Sequence, residues 1–212
     1  MTIGTDRATV IGARIAAGDD RTRYDDVSRA LHWLTAVLVL GQFGLAQLWD
    51  FWPGPVRRFM VMLHMSLGVV LTVVLVARVA WRLMPGHQVA PATTGWVEVA
   101  SKAAHYLLYV LLGAEAVLGF LWRWSGGEDM KFFGLLLPSP MPKLARATTH
   151  LFGDLHNWGA WTIIVVALGH TAAALYHHFV LHDDVLWRML PGRDARREEI
   201  RAPSPEQAAQ KG

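Results

Sequence analysis

There is no cysteine among the 212 residues. That absence excludes disulfides, iron–sulfur clusters, thiolate zinc sites and a haem attached through C-x-x-C-H. A redox cofactor would have to be held non-covalently, and histidine, present ten times, is the main side chain available to hold it. Charge is scarce too. Asp, Glu, Lys and Arg make up 17% of the chain against 53% hydrophobic residues, and the mean hydropathy is +0.27. Residues 1–29 are polar and charged, with no apolar core of the kind a cleavable signal peptide needs. The first long apolar stretch is therefore expected to stay as a membrane anchor.

What the chain does have is long uncharged runs. Between Asp154 and Asp183 there is no Lys, Arg, Asp or Glu, more than enough to cross a bilayer as a helix. Similar runs place spans at about 30–49, 59–82, 103–122 and 155–182. The sequence thus predicts an all-α integral membrane four-helix bundle over residues 28–190, flanked by polar, disordered tails at 1–27 and 191–212. Residues 123–153 read as a long connection, whose FFGLLLPSPMP segment is too short to span and whose prolines argue for an interfacial or re-entrant loop. Four spans put both termini on one side. Of the 20 Lys and Arg, fourteen fall in the tails and the second loop, so the positive-inside rule makes both termini cytoplasmic. No nucleic-acid partner is expected; membrane lipid is.

This topology gives each histidine a depth. His156 and His170 are fourteen residues apart, close to four whole turns, so they share a helix face about 21 Å apart. His32 opens the first span at the depth of His170, and His64 lies early in the second span at the depth of His156. Each pair can give two imidazoles to one iron, one b-type haem per leaflet. Gly68, Gly169, Gly159, Gly41, Gly44 and Gly113 offer room between the spans. Interhelical hydrogen bonding is the other use of such histidines. Zinc fits less well, because neither depth supplies the usual third and fourth ligands. His105, level with Lys102, suits a haem propionate, a quinone or the interface. His177, two turns beyond His170, suits a quinone carbonyl and a proton relay, or with His178 the headgroup region. His87, His150 and His182 read as solvated. Glu115 lies inside the third span, where a carboxylate is costly; Arg123 or Arg146 could pair with it, or it could serve a proton path.

The segments YDDVSRALHWLTAVLVL, LHMSLGVVLTVVLVARVAWRL, AAHYLLYVLLGAEAVLG, FFGLLLP, HNWGAWTIIVVALGHTAAALYHH and VLWRMLPG, in this order over about residues 24–192, resemble the bacterial cytochrome b561 family. That family comprises small four-helix dihaem quinone-linked cytochromes and includes superoxide oxidase. The resemblance implies His32, His64, His156 and His170 as axial ligands of two haem b groups, with His177 near the quinone. It also implies an electron taken from superoxide at the outer face and delivered to ubiquinone, in a bacterial inner membrane. Two features depart from the family pattern: the carboxylate of GAEAVLG, where a proline is more usual, and the long N-terminal extension. With two imidazoles per iron, outer-sphere electron transfer is the expected chemistry. The outer loops carry six basic residues against four acidic ones, and Arg57, Arg58 and Lys131 are the candidates for attracting an anion. The alternative function is a haem-b anchor subunit that relays electrons between quinone and a partner dehydrogenase or hydrogenase. A haem-free transporter or scaffold is the third possibility.

Overall fold

Asp25 starts the first helix: its carboxylate accepts the backbone N–H of Ser28 at 2.9 Å, and Ser28 Oγ and the Trp81 indole add bonds of 2.8 and 3.0 Å. This is an N-cap that satisfies an orphan helix donor and also ties the end of the second helix to the start of the first. The computed structural model describes residues 24–85, 95–183 and 185–190. Their helices are α1 (Asp26–Leu48), α2 (Gly54–Leu83), α3 (Trp96–Ser125) and α4 (Arg146–Phe179). All four are long and apolar enough to cross a membrane.

The helices outrun the uncharged stretches that announced them. α4 is 34 residues long and begins at Arg146, inside what the sequence suggested was loop, and it ends at Phe179, short of His182. Charge marks where a chain leaves hydrocarbon; it does not stop a helix that continues in the interface. α2 begins with proline in its first turn, where the missing N–H costs nothing. Of the expected tails, 24–27 belong to the cap and first turn of α1, while 1–23 and 191–212 lie outside the described residues, as does His87.

α1 packs mainly on α2, and α3 on α4, with α2 and α3 in contact between them. α1 also reaches α4 through rings, Phe43 standing edge-on to Trp161 with centroids 4.9 Å apart. The core is a thin apolar layer of Leu75, Leu112 and Ile163, backed by Val39, Tyr109 and Leu111. Ile163 lies seven residues from each of His156 and His170, so the layer sits midway between them. Val37, Leu40, Val73, Val76, Val110, Val117, Val165 and Leu168 point outward, as a lipid-facing surface requires.

The connection between α3 and α4 folds as a two-stranded antiparallel hairpin, β1 (Met130–Phe132) and β2 (Leu135–Leu137), with Phe132 opposite Leu135. Its two turn residues, Phe133 and Gly134, both have positive φ (45° and 94°), the backbone a type I′ turn demands. Buried Ser66 of α2 fastens the hairpin by accepting the Phe133 N–H at 2.9 Å, while donating to Met62 O at 2.9 Å.

Candidate functional site

The four helices bring the histidines together in two groups. In the first, His64 of α2 faces His156 of α4, with ring centroids 6.3 Å apart and planes at 87°. In the second, His32 of α1 faces His170 of α4, at 6.4 Å and 71°. Two imidazoles on opposite sides of one metal ion, each bond about 2 Å, have centroids about 6 Å apart. Both gaps therefore suit a single metal ion between two rings. Among the described residues, no three or more His, Asp or Glu gather into a metal site, so the arrangement is one of facing pairs. A Cβ built on Gly44 or Gly113, both only partly exposed, would meet nothing within 4 Å, while Gly41 and Gly169 are exposed. Donor set and ring spacing fit a bis-imidazole haem.

The surroundings of the pairs differ. His64 Nδ1 lies 3.2 Å from the Gln42 carbonyl, and Gln42 Nε2 donates to the His64 carbonyl at 2.9 Å. Gly68 does not open a cleft; it lets Gln42 approach, since a Cβ there would lie 3.0 Å from Gln42 Nε2. His156 turns Nδ1 to Glu115 Oε1 at 3.1 Å, close but not aligned as a hydrogen bond. Glu115 thus answers neither Arg123, which is bound to Glu128 and the Asp129 carbonyl, nor Arg146, which donates to His150 at 3.1 Å. Gly159 also proves not to be cleft space, because a Cβ there would collide with Glu115 Oε2.

At the second pair, Arg78 of α2 reaches His32 Nδ1 at 2.9 Å and lies over the Tyr109 ring, 5.2 Å from its centroid. A guanidinium only donates, so this contact holds Nδ1 as acceptor. His105 of α3 joins the group, with its ring 4.9 Å from that of His170 and its Nδ1 2.7 Å from the Ser101 carbonyl. Arg78 was countable in the sequence only as a loop charge. The signal was present all the same: Arg78 follows His64 by fourteen residues, the spacing of His156 and His170.

Beyond the second pair, His177 Nδ1 bonds Asp183 Oδ2, and His178 packs edge-on to Trp187 at 5.0 Å. Partial burial raises the Asp183 carboxyl, but the bonds from His177 and the Val185 N–H outweigh it and hold the group below the usual carboxylate range. Residues 185–190 fold back over α1, where Trp33 Nε1 donates to Met189 O at 2.8 Å and Arg29 to Leu190 O at 3.3 Å. At the opposite end, Arg57, Arg58, Arg123 and Lys131 line a cavity of about 410 Å³ at the start of α2. Asp50 pairs with Arg57 at 3.0 Å and Glu128 with Arg123, leaving Arg58 and Lys131 without a carboxylate among the described residues.

Facing histidine pairs inside a four-helix membrane bundle fit the class of membrane b-type cytochromes. The family model for prokaryotic cytochrome b561 matches residues 23–192, and the chain belongs to that family, whose members carry b-type haem and transfer electrons in the membrane. It is 36% identical over 174 residues to cytochrome b561 homolog 2 of Escherichia coli K12, covering 79% of this chain and 91% of the relative. It is 28% identical to the probable superoxide oxidase CybB of Yersinia pestis, covering 80% and 96%. To cytochrome b561 homolog 1 of Escherichia coli K12 the identity is 24%, covering 81% and 98%.

Proposed function

We propose that this protein is a superoxide:ubiquinone oxidoreductase of the bacterial inner membrane, with both termini cytoplasmic. The observation that carries the reading is the pair of histidine gaps, 6.3 and 6.4 Å between centroids. His64 and His156 would hold the outer haem b, His32 and His170 the inner one, and the two haems would supply one-electron transfer across the bilayer. Ligation of His32 through Nε2 requires its proton on Nδ1, so Arg78 must then turn its donors to another acceptor, for which a haem carboxylate is suited.

The remaining residues take roles from their places. Arg57, Arg58, Arg123 and Lys131 give the outer surface a cationic basin that draws in the superoxide anion. Superoxide gives up one electron and leaves as dioxygen. Two such electrons and two protons convert one quinone to quinol. His177, whose Nδ1 is held by the Asp183 carboxylate, would donate a hydrogen bond to a quinone carbonyl when Nε2 also carries a proton, and would pass that proton on from the cytoplasm. His105 borders the inner pair and would fix the edge of the bound haem. The CybB relative, by its name, supports the superoxide half of the reading.

The test is a reduced-minus-oxidised spectrum and a haem-to-protein ratio on the purified protein, then superoxide and ubiquinone added to the same sample. Two low-spin b haems, reduced by superoxide and reoxidised by quinone, are expected. Two haems inert to superoxide would instead make the chain an anchor subunit that relays electrons between quinone and a partner dehydrogenase or hydrogenase. One haem would break the pairing, and none would leave only a haem-free transporter or scaffold.

A further inference from the structure

We propose that the cavity at the start of α2 is a binding site for an anionic phospholipid, whose phosphate lies between Arg58 of α2 and Lys131 of the hairpin. Such a site needs neither haem, quinone nor superoxide, so it stands or falls separately from the redox reading.

Size and charge point to an anion larger than superoxide. The cavity measures about 410 Å³, of which a diatomic anion would fill only a small part. Attraction of superoxide acts through the field beyond the cavity and does not use this volume. Of the four basic side chains, Arg57 is engaged by Asp50 at 3.0 Å, and Arg123 by Glu128 and the Asp129 carbonyl. Arg58 and Lys131 are the two left to meet a ligand. Arg58 lies back along the start of its helix, with Nη1 3.2 Å from where a Cβ on Gly54 would stand. Gly54 itself belongs to the cavity wall. A guanidinium offers a phosphate two parallel donors, and an ammonium adds a point charge. One phosphate held by both would tie the hairpin to α2.

Apolar surface singles out a lipid among phosphate-bearing anions. Val61 and Met65, one turn apart on α2, line the same cavity. Lys131 stands opposite Leu136 in the strand register, so the two share one face of the hairpin. Leu136 is 59% exposed, and Phe133, Leu135 and Phe59, the neighbour of Arg58, are as open. Large apolar side chains beside unpaired cations suit the level where acyl chains meet headgroups. A lipid with its headgroup in the cavity would lay its chains over them, whereas a free phosphate would leave them uncovered.

The test is native mass spectrometry of the purified full chain, titrated in detergent with phosphatidylglycerol or phosphatidylcholine. One tightly held phosphatidylglycerol is expected, bound about tenfold or more tightly than phosphatidylcholine. Arg58→Gln combined with Lys131→Gln should abolish that preference; both side chains lie at the surface, so the exchange leaves the packing undisturbed. Arg146→Gln, which removes a charge at the same end of the bundle but outside the cavity, should leave the preference intact. Wild-type protein that binds the two lipids equally would overturn the proposal with no variant needed. A preference that survives in the double variant would overturn it too, because the lipid would then sit elsewhere. If inorganic phosphate competes as well as the whole lipid does, the site takes a soluble anion and the lipid assignment fails.

Discussion

At Gly159 a single hydrogen atom decides whether Glu115 can reach His156. In Gly159→Ala the new methyl would occupy space now held by the carboxylate. Displacing it is expected to cost about 1–3 kcal/mol as overpacking, read as a lower Tm. The proposed haem ligands make a cleaner prediction: if the pairing is right, His64→Ala should lower the haem-to-protein ratio from two to one. His177→Ala should keep both haems yet slow quinone reduction about tenfold or more, as loss of a proton donor does. Asp25 carries a pH effect. Partial burial raises its carboxyl, but bonds from Ser28 and Trp81 outweigh this and hold it below the ordinary value of 3.8. A depressed folded-state pKa means that the stabilisation is complete above that ordinary value and is lost as the pH falls through the lower one. Asp25→Ala should therefore cost about 1 kcal/mol near neutral pH and flatten the acid limb of a Tm-against-pH curve.

Among the elements, the hairpin is fastened to α2 by the Ser66 hydroxyl and seated by the buried Met130. Ser66→Ala leaves the Phe133 N–H without its partner, a loss of about 1 kcal/mol for a part-buried hydrogen bond. Faster amide exchange at Phe133, with the helices unchanged, is the expected readout. The hairpin was also the element least legible in the sequence. FFGLLLP has no alternation of polar and apolar residues, and its turn places Phe133, not the usual Asn or Asp, at positive φ. The four spans were legible because hydrocarbon excludes charge; their ends were not, because a helix carries on into the interface regardless. The histidine pairing could be anticipated from depth, since depth follows from span order and a rise of about 1.5 Å per residue. The partners of Glu115 and Arg78 could not. They depend on how α3 is rotated against α4, and α2 against α1, which packing settles and no single helix records. The same limit explains Gly68 and Gly159, which looked like cleft space and instead admit Gln42 and Glu115.

For the molecule as a whole, basic residues stand at one end of the bundle and a His–Asp couple at the other, with the histidine pairs between. If superoxide is drawn by the cavity at the start of α2, then Arg58→Glu combined with Lys131→Glu should slow its oxidation several-fold at low ionic strength. It should also remove most of the salt dependence of the rate, because screening acts on the field that steers the anion. Haem content and midpoints should not change, since neither side chain touches a histidine pair.

The thin layer of Leu75, Leu112, Ile163 and Val39 has a consequence for energy conversion. Electrons tunnel through hydrocarbon, but these four side chains give a proton nothing to hop along, and the Tyr109 packed against them lies under Arg78, beside the His32 pair. The centre of the bundle thus conducts one particle and insulates against the other. An electron carried inward past the layer moves uncompensated charge through part of the membrane field, at about 2.3 kcal/mol per charge for a full crossing of 100 mV. Turnover in sealed vesicles should accordingly slow when the inside is made negative, and generate a voltage of its own when none is imposed.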